Sequence, residues 1–417
     1  SNFDKLVINY MIKNGEINCT NIGMLLYDQG VLSTEDSDYA ELTSGTLTPY
    51  DFMRRKVTNL EITPAQLALY PCEDSVVVTD VNSGEILAMV SYPSYDNNKL
   101  TNSVDSDYYN KLLNDKTKPL YNRSTQQRTA PGSTYKMLTT IAGVQENAID
   151  LDTEILDESV FTKVSTQSSP KCWISPGTHG LIGIEEALEV SCNYFFYEVG
   201  FQLSTTDNGT YVESLGLDKL SKYAQMFGLD RTTGIEIAES DPNISDTDAI
   251  RSAIGQGTNS FTATQISRYV TTIANSGTCY DLSLILERKD VNGNVTYTDP
   301  HTVSGMVSIP DSLWTTVHNG MRRVVTNHTD ENALINRINV DVAGKTGTAQ
   351  EDKTKPSHAL FVSYAPFDNP EMSVTTVIPY GYSSGNAEEL AGFIYAYLYD
   401  KALLENESVT GNTNVSD

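Results

Sequence analysis

Pro131-Gly132-Ser133-Thr134-Tyr135-Lys136 is the stretch from which the rest of the chain is read. Proline and glycine break whatever precedes them, and from Ser133 onward Met137, Leu138, Ile141 and Val144 recur at helical spacing. Ser133 therefore opens a helix, and Lys136 shares its face with Cβ atoms about 5–6 Å apart. A serine hydroxyl is a weak nucleophile at neutral pH and needs a neighbouring base. Lys136 becomes that base only where burial or nearby positive charge lowers its pKa. The helix N-terminus also turns backbone N–H groups toward a developing oxyanion. Taken alone, the same letters fit an N-cap serine followed by a surface lysine.

Two further words follow in order, Ser191-Cys192-Asn193 and Lys345-Thr346-Gly347-Thr348. The second word lies between an amphipathic stretch, 184–190, and the aromatic run Tyr194-Phe195-Phe196-Tyr197. Burial of the aromatics leaves the polar triplet at a helix junction, where Ser191 can relay a proton to a leaving group and the Asn193 amide can hold a substrate carbonyl. The competing reading is a serine N-cap for the next helix. Cys192, between the two polar residues, reads as a small packed apolar side chain. The third word ends the strand-like Val340-Asp341-Val342-Ala343. Gly347 would let a substrate backbone approach the strand edge closely. Lys345 with the Thr346 and Thr348 hydroxyls suits an anionic carboxylate, and the Thr348 N–H would complete an oxyanion hole. Lys345 is also the expected source of the charge that lowers the Lys136 pKa. A solvated strand end is the alternative for this word.

Chance decides little about each word singly. A serine three residues before a lysine is expected about once or twice in such a chain, and Ser168-Ser169-Pro170-Lys171 is a second copy. Its internal proline opposes a helix, so it reads as a loop. Ser384-Gly385-Asn386 likewise repeats the second word. Lys-Thr-Gly occurs once, against roughly one per few thousand residues from average composition. Order and context carry the signal.

Together the three words resemble those of penicillin-binding proteins and serine β-lactamases. Further stretches narrow the likeness to class B penicillin-binding proteins. Ser75-Val76-Val77-Val78-Thr79-Asp80 through Tyr92-Pro93-Ser94-Tyr95-Asp96 is similar to the start of their transpeptidase domain. Ile254-Gly255-Gln256-Gly257, Thr264-Gln265, Ile273-Ala274-Asn275-Ser276-Gly277 and His358-Ala359-Leu360-Phe361-Val362-Ser363-Tyr364-Ala365-Pro366 are similar to later stretches of that class. The family commonly has Thr-Pro-Leu-Gln where Thr262-Ala263-Thr264-Gln265 stands, and a second glycine at Ser276; neither departure touches a catalytic role.

The resemblance implies that Ser133 attacks a D-Ala-D-Ala stem-peptide terminus, releases D-alanine and passes the acyl group to a neighbouring stem amine. That reaction cross-links peptidoglycan, and β-lactams would acylate the same serine. Lys136, Ser191, Asn193 and Lys345 take catalytic roles on this reading, and Thr346, Gly347 and Thr348 bind substrate. Neither a cofactor nor a metal is implied. The family also implies a membrane-embedded glycan polymerase as partner, and a place on the outer face of the bacterial cytoplasmic membrane.

Strand patterns support the implied fold without the resemblance. Residues 75–81 and 85–92 flank the turn Asn82-Ser83-Gly84 as a hairpin, and 340–348, 358–365 and 372–379 give three more strands. A sheet built from both ends of the domain then encloses a mostly helical middle. A further hairpin, 281–287 with 294–298 around Asn292-Gly293, is expected outside that sheet, and an amphipathic helix over 387–404 closes one side. The class is α/β (α+β): in the family, a central antiparallel five-stranded sheet flanked by helices, with a helical lobe and a cleft between.

The 417 residues carry 54 acidic against 28 basic side chains, a formal charge of −26, so nucleic acid is excluded as a partner. No stretch approaches the roughly 18 apolar residues that span a bilayer. Residues 1–70 read as a mainly helical remnant of an N-terminal pedestal or linker, with helices near 3–12, 50–58 and 64–69. Residues 71–404 form the transpeptidase domain and 405–417 a polar flexible tail. The opening Ser1-Asn2 and the lack of an anchor point to a soluble fragment of a longer protein. Five cysteines, at 19, 72, 172, 192 and 279, are too scattered for a disulfide scaffold, and their spacing shows no zinc-ligand pattern. Cys172 and Cys192 flank one segment near the site, and whether they pair is left open.

Water as acceptor would make the chain a D,D-carboxypeptidase or β-lactamase. Class A β-lactamases place Glu-x-x-Leu-Asn between the second and third words, whereas the one Leu-Asn pair here, Leu113-Asn114, lies earlier and has Asn110 in place of the glutamate. A non-catalytic β-lactam sensor would carry serine-x-valine where this chain has Ser191-Cys192-Asn193. An idle scaffold would be expected to lose side chains that are all present.

Overall fold

A computed structural model describes residues 10–11, 16, 18–59, 61–62, 73–115, 117–164, 169–349 and 355–405. Two compact units divide the chain, Ser1–Cys72 and Glu73–Asp417.

In the first unit, α1 (Cys19–Asp28), α2 (Ser37–Ser44) and α3 (Pro49–Thr58) each begin at a side-chain cap, from Asn18, Asp36 and Thr48 respectively. Leu26, Tyr27, Leu42, Phe52 and Ile62 form their common core. Lys56 is buried beside it and ion-paired to Asp36, Asp38 and Glu61. The expected helix at 50–58 is α3, begun one residue earlier because Thr48 caps it and Pro49 takes the first turn. The expected helix at 64–69 lies outside the described residues, as does that at 3–12 apart from Tyr10 and Met11.

The second unit is built on β1 (Asp74–Asp80), β2 (Ile86–Tyr92), β3 (Ala343–Ala349), β4 (His358–Ala365) and β5 (Met372–Ile378). Their order is β3-β4-β5-β1-β2, with every pairing antiparallel. The sheet is thus assembled from both ends of the unit, as its strand patterns require. Val77, Leu360 and Val362 face one core, which includes the helical middle of the chain, while Val76, Val78 and Phe361 face a second. That alternation follows from the two-residue period of a strand. Within the middle lie α4 (Lys136–Gln145), α5 (Ile184–Glu189), α6 (Asn193–Leu203), α7 (Ala263–Ala274) and α8 (Asp311–Arg323). On the other face α9 (Ser384–Tyr399) covers the second core with Ala387, Ala391 and Tyr395.

Three expected boundaries move, each because backbone groups find other partners. The strand expected from 340 begins at Ala343, since Arg322 takes the Val342 carbonyl at 2.6 Å and Phe367 N–H takes that of Asp341 at 2.9 Å. The outer hairpin pairs Glu287–Lys289 with Val295–Thr298 rather than starting at 281. Leu282 and Ser283 are already bonded to Thr233 and Gly84. The helix expected over 387–404 starts at Ser384 on a Ser383 cap and breaks at Asp400, where φ is −149°. Residues 406–417 of the expected tail lie outside the described ones.

Candidate active site

The serine word forms a tight turn before the helix proper. Gly132–Tyr135 is a short 3-10 turn that runs into α4. Gly132 has φ +53° and donates its N–H to Gly255 O at 3.1 Å, a conformation that glycine adopts without a Cβ penalty. Tyr269 bridges the turn and the helix, donating to Thr134 O and accepting from Leu138 N, both at 3.1 Å. No side chain caps either element, so Ser133 is not the N-cap that its letters alone allow.

Gly347 has a further reason besides the one its motif suggests. A Cβ there would lie 2.8 Å from Thr134 Cγ2 and 3.1 Å from Pro131 O. The close approach it permits is that of the serine turn to β3, and it bears on the protein's own packing before any substrate. Gly255 is tighter still, since a Cβ would meet Gly132 O at 2.1 Å.

Lys136 is fully buried at the start of α4, and burial brings its pKa down from 10.5 to about 7, against weaker opposing effects of Cys192 and Cys172. The amine lies 2.8 Å from Ser191 O, 2.6 Å from Asn193 Oδ1 and 3.2 Å from Ser191 Oγ. The first and second words therefore meet through this one side chain. Lys345 is also buried, and its own pKa falls well below the usual lysine value through burial first and the Lys136 charge second. Of the two expected causes, burial or the charge of Lys345, burial is the one that lowers the Lys136 pKa.

Ser191 sits at φ +53°, an uncommon conformation for a residue with a Cβ. It does not cap the following helix. Cys192 does, its sulfur accepting from Phe195 N at 3.4 Å. Cys192 is thus packed in the apolar core, as expected, and caps the helix as well.

A cleft of about 530 Å³ is lined by Ser133, Ser191, Asn193, Thr346 and Thr348. The three words converge there, with Lys136 and Lys345 buried and Gly347 packed against the serine turn. Lys345 donates to its neighbour, Thr346 O at 3.1 Å and Oγ1 at 3.4 Å. Trp173, Gln256 and Ser384 also line the cleft. Ser384, set aside on sequence as a stray repeat, reaches the cleft because it begins α9; its position was hidden without the fold. Trp173 is held by its indole N–H on Val190 O at 3.0 Å. Lys171 of the second serine–lysine copy pairs in extended form with Val160, while Ser168 lies outside the described residues.

Cys172 and Cys192 do meet, as free thiols with sulfurs 3.8 Å apart. Asp157 and His179 join them, one ligand atom from each of the four lying within 4.8 Å of the others. The scattered cysteines showed no metal pattern because these donors come from four separated segments. Among the described residues this cluster is the one able to hold a metal ion.

Residues 75–396 match the family described as penicillin binding protein transpeptidase domain, and the chain belongs to that family, as its three words imply. Among known proteins it is similar to the peptidoglycan D,D-transpeptidase MrdA of Haemophilus influenzae, 32% identical over 367 residues, covering 80% of this chain and 54% of the relative. It is 32% identical over 330 residues to the peptidoglycan D,D-transpeptidase PbpA of Mycolicibacterium smegmatis, covering 75% of this chain and 62% of the relative. The solved structure of Pseudomonas aeruginosa PBP2 in complex with WCK 5153 superposes with a TM-score of 0.67 at 25% identity, over 81% of this chain and 76% of that one. The chain thus spans between half and two thirds of the length of these two relatives.

Proposed function

We propose that this chain is the catalytic part of a serine D,D-transpeptidase that cross-links peptidoglycan. The observation that carries the reading is the buried Lys136 amine, with a pKa about 7 and bonded to Ser191 and Asn193 one helical turn from Ser133. In its neutral form it accepts the Ser133 Oγ proton as that oxygen attacks the penultimate D-alanine carbonyl. The backbone N–H groups of Ser133 and Thr348 stabilise the oxyanion. Residues in a strand offer N–H and C=O to the same side, and Thr348 O faces the serine turn at Gly132. The proton passes through Ser191 to the departing amine of D-alanine, leaving an ester on Ser133. An amine of a second stem peptide then attacks the ester, the new amide forms, and Ser133 recovers its proton. Asn193 holds the donor amide, while the Thr346 and Thr348 hydroxyls, backed by Lys345, hold the substrate carboxylate.

On this reading residues 71–404 are the transpeptidase domain, 1–70 the remainder of a pedestal or linker and 405–417 a polar tail. The relatives named above are peptidoglycan transpeptidases, which supports action in the bacterial cell envelope. No helix among the described residues is long and apolar enough to cross a membrane. We place the protein on the outer face of the cytoplasmic membrane, working with a membrane-embedded glycan polymerase.

The test is covalent labelling by a fluorescent penicillin, read by intact mass. A single adduct is expected on the unmodified chain and on Ser168→Ala, and none on Ser133→Ala. Labelling that survives Ser133→Ala rejects the mechanism. A thioester donor offered with a D-amino acid should give the transferred product; hydrolysis alone under those conditions would favour a carboxypeptidase or β-lactamase.

A further inference from the structure

The repeat Ser384-Gly385-Asn386 takes no part in the chemistry above, yet its serine lines the cleft. Asn386 works within its own loop, its Nδ2 donating to Gly381 O at 2.8 Å, while Ser383 caps α9 by accepting from Gly385 N at 3.2 Å. Ser384 is left to the cleft, and Ser357, the residue before β4, lines it as well. Both serines are half-buried, and neither hydroxyl has a hydrogen-bond partner among the described residues. Their two loops are braced against each other. Tyr382 N donates to Ser357 O at 3.1 Å, Tyr380 N to His358 Nδ1 at 3.2 Å and Lys355 Nζ to Tyr380 OH at 3.1 Å.

The place of these hydroxyls along a bound substrate follows from β3. The serine turn lies against Gly347 and Thr348, with Thr348 O only 2.8 Å from where a Gly132 Cβ would stand. Thr346, two residues earlier, shares the substrate carboxylate with Thr348. The leaving D-alanine therefore lies toward the start of β3, and the acyl chain runs past its end. Ala349 pairs with His358, so Ser357 stands one residue beyond the last pair of that ladder. An extended chain advances about 3.4 Å per residue, which brings the residue ahead of the acylated D-alanine level with Ser357 and Ser384. What the acyl chain carries follows from its second role. Donor and acceptor are the same kind of stem peptide, and the acceptor attacks with a free amine. D-Ala-D-Ala has no such amine, so every donor stem carries it on the acyl side.

We infer that Ser357 and Ser384 are specificity-determining residues, whose hydroxyl oxygens bind the side-chain ammonium of the donor stem peptide. The assignment of this donor rests on the transpeptidase reading. An ammonium has three donors and no acceptor, and each hydroxyl oxygen offers lone pairs to it. The same two loops already hold one ammonium, since Lys355 Nζ bonds the Tyr380 hydroxyl and stands 4.7 Å from its ring centroid. A formal charge of −26 on the chain favours a cationic group in the same way. An apolar side chain of equal length takes water from both hydroxyls and returns no hydrogen bond, so it binds less well.

The test compares the thioglycolate thioesters of Nα-acetyl-L-lysyl-D-alanine and N-acetyl-L-norleucyl-D-alanine, which match in length and differ in the amine. Each acylation of Ser133 releases one thiol, so thiol titration gives kcat/KM for either donor. The unmodified chain should prefer the lysyl donor by about tenfold or more, and Ser357→Ala combined with Ser384→Ala should reduce that preference to about twofold or less. Ser384→Thr keeps a hydroxyl and should keep the preference. The preference is a ratio taken on one preparation, so an inactive fraction cancels from it. A ratio near one in the unmodified chain overturns the assignment even where the double variant fails to fold, and an unchanged ratio in the double variant overturns it too. Either result, with thiol released from both donors, leaves the transpeptidase reading standing. Thiol release from neither donor rejects the assignment, and the presence or absence of a penicillin adduct on Ser133 then decides whether the acyl-enzyme chemistry falls with it.

Discussion

Lys136 shows what a residue inherits from its surroundings. Its letter and its spacing from Ser133 are visible in the chain, but a lysine becomes a base only when water is removed from it, and burial is what lowers it to about 7. The neutral amine is the form that accepts the serine proton. Below that pH the amine is protonated, so the second-order rate of penicillin acylation should fall about tenfold per pH unit and level off above it. A stopped-flow pH profile checks this; a rate that stays flat down to pH 5 would exclude Lys136 as the base. Lys136→Gln should cost about 10²–10⁴-fold in the same assay. Gly347 makes the complementary point, since its motif predicted the residue while the reason for it, a serine turn 2.8 Å from where a Cβ would stand, needed the third dimension.

Elements came through the pattern where their own residues dictate them. The runs of β1, β2, β4 and β5 lie within a residue of their expected ends because short stretches rich in β-branched, aromatic and other apolar residues, bounded by turn residues, mark strands locally. The misplaced boundaries at 340 and 281 were set by partners distant in sequence, which no local window contains, whereas that at 387 was set by the adjacent Ser383 cap. Helix α7 illustrates a further contact of that kind. It lies on the sheet through paired hydroxyls, Ser267 with Thr79 at 2.9 Å and Thr271 with Ser373 at 2.8 Å, all four buried. Ser267→Ala leaves the Thr79 hydroxyl unpaired and should cost about 1–3 kcal/mol of stability. Adding Thr79→Val should recover part of that loss, giving a measurable coupling in a double-mutant cycle of urea unfolding. Strict additivity of the two changes would show that the hydroxyl pair contributes nothing.

At the scale of the whole molecule the chain forms two compact units, each with its own core. The first is small, and a single buried cation bridges three carboxylates within it: Lys56 with Asp36, Asp38 and Glu61. Lys56→Met removes the cation and leaves the acids facing one another, at a cost of about 3–5 kcal/mol. Hydrogen exchange should show lost protection over α1, α2 and α3, with β1 and β4 unchanged. Unaltered exchange in the first unit would mean that the ion cluster is dispensable.

The sequence by itself determined the family, the three words and the sheet assembled from both ends of the second unit, because periodicity and short motifs are properties of neighbouring residues. Only the tertiary structure decided that burial and not Lys345 lowers the Lys136 pKa, and that Cys192 and not Ser191 caps α6. It also decided that Asp157, Cys172, His179 and Cys192 share one small volume. Desolvation, capping and ligand convergence depend on atoms that the chain brings together only after it has folded.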